Sequence, residues 1–95
     1  MKILISCDME GISGVVDWEH VEPGHREYER FRRIMTGDVN AAIRGACDAG
    51  ADEILVSDGH EYGRNILIEE LDPRARLSCG SPSPLAIVNG ADTGV

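Results

Sequence analysis

The sequence predicts an α/β domain on a mainly parallel sheet. Three observations carry this: a short apolar run at Lys2–Cys7, apolar residues at helical spacing over residues 28–49, and a second apolar run at Ile54-Leu55-Val56. Strand, long helix and strand in that order form a βαβ unit. Its right-handed crossover sets the two strands parallel, with both carboxyl ends at one edge of the sheet.

Each element has a local reason. Lys-Ile-Leu-Ile-Ser-Cys over residues 2–7 is short and apolar, as a buried strand requires. Gly11 and Gly14 flank Ile12-Ser13 and let the backbone turn close to whatever sits there. Residues 15–24, with Trp18, His20 and Pro23, are polar and irregular and predict a surface excursion near the site. Phe31, Ile34, Met35, Val39, Ala42, Ile43, Ala46 and Cys47 then recur every three or four residues, one face of a helix that Gly50 stops. Gly37 lies inside that helix at a cost of up to about 1 kcal/mol relative to alanine, which predicts a kink or close packing near Thr36-Gly37.

Residues 54–56 are bounded by polar residues on both sides, as a buried strand is. Asn65 is placed to cap a short helix over residues 66–71 that Asp72-Pro73 ends, and residues 75–79 supply a third strand. A further apolar segment follows Pro84 and stops at Thr93-Gly94-Val95 without a closing element. The expectation is a single α/β domain over residues 1–95 that is part of a larger fold.

Composition narrows the partners. Seventeen acidic against nine basic side chains leave a formal charge of −8, which opposes binding to nucleic acid or an anionic membrane and favours cations and small neutral or cationic substrates. Arg26, Arg30, Arg32, Arg33 and Arg44, interleaved with Glu27 and Glu29, read as a solvated helix face. Three cysteines, at 7, 47 and 79, form no Cys-x-x-Cys pair and predict a reduced, cytoplasmic protein. No run approaches the roughly 18 apolar residues of a membrane span. Cys7 adjoins Asp8 and no basic residue, so burial, not nucleophilic chemistry, is its expected role.

Asp8 and Glu10, spaced i, i+2 just past the first strand, can point the same way at the edge where open α/β sheets gather ligands. His60 follows the second strand in Ser57-Asp58-Gly59-His60, so parallel strands bring it to that edge too. Two carboxylates and an imidazole suit zinc or manganese. Asp8, with two oxygens, is able to bridge two ions, and Asp58 is placed to accept from the other ring nitrogen of His60. The bland alternative is a solvated acidic turn. His20 and His25 lack a carboxylate partner at helical or strand spacing and read as surface residues, and the few aromatics make no stacking platform.

The residues also resemble the zinc D-aminopeptidase family, binuclear metallopeptidases that release amino-terminal D-amino acids from short peptides. The resemblance rests on the run from Lys2 through Asp8-Met9-Glu10-Gly11-Ile12-Ser13-Gly14, on Tyr28-Glu29, Arg33 to Thr36 and Asn40, on Glu53 to His60, and on Gly80 through Pro84 to Gly90. It implies two zinc ions, with Asp8 bridging them, Glu10 on one and His60 on the other. It also implies a lowered pKa, about 7, for a bound water that attacks the peptide carbonyl. The family's remaining ligands, a histidine and a glutamate, and its catalytic histidine have no counterpart among these residues, which predicts half a metal site and little activity for this chain alone.

Two other readings compete. A haloacid-dehalogenase-like phosphatase would use Asp8 as nucleophile and Glu10 as general acid/base, but expects aspartate and threonine at positions 10 and 12 and gives His60 no work. A non-catalytic fragment would associate through an exposed sheet edge as a homo-oligomer.

Overall fold

The computed structural model describes residues 1–80. Strand β1 (Lys2–Cys7), helix α1 (Tyr28–Asp48), strand β2 (Glu53–Asp58) and strand β3 (Ala75–Ser78) are its main elements. The sheet order is β1-β2-β3 and both pairings are parallel, with Lys2 opposite Glu53, Cys7 opposite Asp58 and Ile54 opposite Ala75. The second strand is longer at both ends than the apolar run predicts, because polar Glu53, Ser57 and Asp58 also pair with β1.

Strand alternation sorts the side chains. Register pairs Ile3 with Ile54 and Ala75, and Ile5 with Val56 and Leu77, so these six share one face and pack in a cluster with Phe31, Met35, Val39 and Ile43 of α1. Met35 and Ile43 are fully buried, and burying a side chain of that size is worth about 1.5–3 kcal/mol. Helix α1 ends at Gly50, whose φ of 97° lets the amides of Gly50 and Ala51 bond back to the carbonyls of Cys47 and Ala46. The helix runs unbroken through Gly37, and a Cβ there would meet nothing within 4 Å. The close packing expected near Thr36-Gly37 falls on Thr36, which is buried and accepts the Leu67 amide at 3.0 Å, and not on Gly37 itself.

Residues 66–71 do not form the expected helix beyond one 3₁₀ turn. The amides of Asn65 and Ile66 bond the Asp58 carboxylate, that of Leu67 the Thr36 hydroxyl, and that of Asp72 the Asn40 side chain, so they are tied to β2 and α1 rather than to a helix of their own. A single 3₁₀ turn at Ile68–Glu70 remains, and Asn65 is buried instead of capping it. In the loop before α1, Asp17 caps a 3₁₀ turn at Trp18–His20, and Val21 is buried behind it. The apolar segment expected beyond Pro84 lies outside the described residues. No helix among the described residues is long and apolar enough to cross a membrane.

Candidate metal centre

Parallel pairing carries β1 and β2 to the same edge, and the amide of Gly59 extends the ladder by bonding the Cys7 carbonyl at 2.9 Å. Just beyond, Asp8 keeps an extended backbone and its Oδ1 accepts from the Met9 amide at 2.7 Å, capping a 3₁₀ turn at Met9–Gly11. Met9 is fully buried and pins the turn to the core. Its neighbours Asp8 and Glu10 are therefore left facing outward, their side chains 43% and 52% exposed. Helix α1 holds the following loop through Asp38, whose Oδ2 accepts from the Ser13 amide at 2.9 Å.

His60 completes the group. Its Nδ1 lies 2.8 Å from Asp8 Oδ1 and 3.1 Å from Glu10 Oε1, and donor atoms of the three residues all fall within 4.8 Å of one another. Its Nε2 lies 2.5 Å from the Val21 carbonyl oxygen. A carbonyl can only accept, so Nε2 carries the hydrogen, and in neutral His60 the lone pair sits on Nδ1 and faces the two carboxylates. Backbone-oriented imidazole is the usual arrangement of a metal-ligating histidine.

Electrostatics within the group follow from that geometry. Burial pushes the Asp8 carboxyl up, but hydrogen bonds with Glu10, His60 and the Met9 amide outweigh it and hold Asp8 below its ordinary value. Glu10 moves up, chiefly because it shares a hydrogen bond with Asp8 and secondarily through burial. Burial disfavours charged His60, yet the Val21 carbonyl and the two carboxylates prevail and raise it. Two acids and an imidazole thus hold protons between them, the position a divalent cation would take over.

The other parts of the edge support His60 from below. Asp58 does not reach the ring, contrary to the sequence expectation. Its Oδ2 accepts from the amides of Asn65 (2.7 Å) and Ile66 (2.8 Å), and its Oδ1 from Asn65 Nδ2 (2.9 Å). Asn65 Nδ2 also donates to the His60 carbonyl at 2.6 Å, and Tyr28 Oη donates to Asn65 Oδ1 at 2.5 Å. Every polar group of this buried network is satisfied by another, the condition under which such networks rigidify a site. Gly63 (φ 68°) closes the turn after His60; a Cβ there would sit 2.9 Å from the Gly80 nitrogen and 3.0 Å from the Asp58 carbonyl oxygen.

Val21, Asn65 and Tyr28 are the contributors that sequence reasoning missed. His20 and His25 stay outside the group, as expected: His20 stacks on Phe31 at 4.0 Å between ring centroids. His25 does have a carboxylate partner, Glu22 at 2.8 Å across one helical turn's spacing, which corrects the expectation that it had none. Arg32 departs from the solvated face, donating to the carbonyls of Asn65 and Arg64. Cys7 is buried and its thiol contacts the Ser57 carbonyl oxygen; burial, then the charges of Asp58 and Asp8, push its pKa up to about 12, so it is no nucleophile.

Fold and site together define an α/β domain with a group of oxygen and nitrogen donors that could hold a metal ion at the carboxyl edge of a parallel sheet. The chain belongs to the D-aminopeptidase family, whose sequence model matches residues 1–95. It is similar to a D-aminopeptidase of Bacillus subtilis (strain 168), 45% identical over 92 residues that make up 97% of this chain and 34% of that protein. It is also similar to a solved structure, described as the Zn-dependent D-aminopeptidase DppA from Bacillus subtilis, a self-compartmentalizing protease. The TM-score is 0.95 at 44% identity, over 97% of this chain and 34% of the other. The chain therefore spans about a third of the length of the relatives it matches. Family membership sets aside the phosphatase reading.

Proposed function

We propose that Asp8, Glu10 and His60 hold zinc as part of a two-ion centre, Asp8 bridging, and that the complete protein hydrolyses short peptides bearing an amino-terminal D-amino acid. The observation that carries this is the orientation of His60: its Nε2–H is committed to the Val21 carbonyl, and Nδ1 is left between two carboxylates. The donor set fits zinc, which takes imidazole nitrogen and carboxylate oxygen. Family membership and the zinc dependence in the relative's description agree with it.

Within this chain the residues bind and orient. Asp8, held below its ordinary pKa, is ionised at neutral pH and offers two oxygens. Neutral His60 would present its Nδ1 lone pair to a cation, and the Asn65–Asp58 network keeps the ring's backbone in place. Zinc, when bound, supplies Lewis acidity toward the scissile carbonyl and activates water at neutral pH. With three donors here and the others expected elsewhere in the family fold, this chain by itself is a weak catalyst. The description of the relative as self-compartmentalizing supports a homo-oligomer, and the isolated thiols support a cytoplasmic location.

The test is hydrolysis of D-alanyl peptides and amides by a full-length protein carrying these residues. Zinc-dependent cleavage, lost in Asp8→Ala and His60→Ala, is expected. Zinc-loaded protein that leaves these substrates intact would remove the substrate assignment, and zinc uptake indifferent to Asp8→Ala would remove the site.

A further inference from the structure

Beside the metal donors lies a cavity of about 390 Å³ lined by Glu10, Val15, Val16, Asp17, Trp18 and Val21. Glu10 and Val21 belong to both places: one is a donor of the metal group, and the other supplies the carbonyl that orients His60. Among the described residues its lining side chains are apolar except for two carboxylates, and none is basic. The same short loop leaves Val16 88% and Trp18 69% exposed, an apolar surface kept in water beside charged groups. Concave, apolar walls with a few polar groups of one sign mark a small-molecule subsite.

We propose that this cavity is the subsite for the substrate's amino-terminal residue, taking its ammonium at Asp17 and its apolar side chain against Val15, Val16 and Trp18. The assignment rests on the peptidase reading for what happens next door. Asp17 accepts the Glu19 amide at Oδ1 (3.0 Å), which fixes its carboxylate in the cavity lining, and among the described residues its Oδ2 has no partner and is left for a cation. An indole wall suits both partners, since its face attracts ammonium and its area packs alkyl groups. Glu10 marks the border with the metal donors, so a residue seated here presents its following carbonyl toward Asp8, Glu10 and His60. Anions and acidic side chains are repelled by the same carboxylates.

Trp18 is the chain's single tryptophan, so its emission reports occupancy directly. Leucinamide, in both enantiomers, is titrated into the protein with and without zinc, N-acetyl-leucinamide serves as the uncharged control, and zinc binding is measured separately by calorimetry. Saturable change in Trp18 emission with leucinamide, weakened about fivefold by acetylation or by Asp17→Asn, is expected, the size of one exposed ion pair. Asparagine still caps the turn, so the variant keeps its loop. Val16→Ser, at an exposed position, weakens both ligands without changing zinc affinity. An absent response, equal binding of the acetylated control, or leucinamide affinity that falls as protein concentration rises, which would mean a second copy competes for the cavity, each overturns the subsite. Zinc binding lost while leucinamide still binds would instead remove the metal reading and leave the subsite standing.

Discussion

Replacing Asn65 by alanine tests how the fold supports His60. The amide makes three side-chain contacts, donating to Asp58 Oδ1 at 2.9 Å and to the His60 carbonyl at 2.6 Å and accepting from Tyr28 Oη at 2.5 Å, and it is 1% exposed. Removal leaves the Asp58 oxygen and the Tyr28 hydroxyl buried with one partner fewer. At about 1 kcal/mol for each lost hydrogen bond, and more for a buried group stranded without a partner, the loss is about 3 kcal/mol. For a domain of this size that lowers the melting temperature by roughly 12–24 °C. Tyr28→Phe removes one contact and should cost about 1 kcal/mol. In a urea-unfolding double-mutant cycle of the two, the effects should be non-additive because they share the Asn65 contact. A loss below about 1 kcal/mol for Asn65→Ala, or strict additivity, would refute the claim that Asn65 is the hub of the edge.

Three further outcomes are expected. Zinc affinity should fall with acidity, because binding displaces the Nδ1 proton of a histidine held above its ordinary value, so the loss begins above about pH 6.5; calorimetry across pH 5.5–8.5 reads it, and a flat profile contradicts it. The metal-free protein has the opposite sign at this residue: a raised folded pKa stabilises fully below the unfolded value, and that contribution disappears as pH rises through the folded one. Gly63→Ala should cost about 2 kcal/mol or more in chemical unfolding, from a left-handed backbone and a Cβ 2.9 Å from the Gly80 nitrogen. A haloacetamide at pH 8 should label exposed Cys79 well before buried Cys7, whose thiol is pushed up to about 12; peptide mapping that finds Cys7 first would contradict the burial argument.

What was legible in the sequence was what local pattern and handedness determine. The strands at Lys2–Cys7 and Glu53–Asp58 and the helix Tyr28–Asp48 announce themselves by apolar runs and periodicity, and a right-handed crossover then brings Asp8, Glu10 and His60 to one edge. The partner of His60 was not legible, because Val21 contributes a backbone carbonyl that any residue could supply. Asn65 reads as a helix cap because an asparagine before an apolar stretch satisfies the same rule; only tertiary contact with Asp58 and Tyr28 diverts it. Asp58 was assigned to the ring on spacing alone, but two backbone amides seven and eight residues on compete for its Oδ2. Gly37 lowers helix propensity without interrupting α1, since the buried face from Phe31 to Ile43 holds the helix on the sheet.

The central claim is that Asp8, Glu10 and His60 bind the metal through oxygen and one imidazole nitrogen. Zinc-edge X-ray absorption on the zinc-loaded chain tests it most directly. Nitrogen and oxygen neighbours at about 2.0–2.2 Å are expected, with the imidazole signal lost in His60→Ala. A sulfur shell at about 2.3 Å, or a spectrum that His60→Ala leaves unchanged, would contradict it.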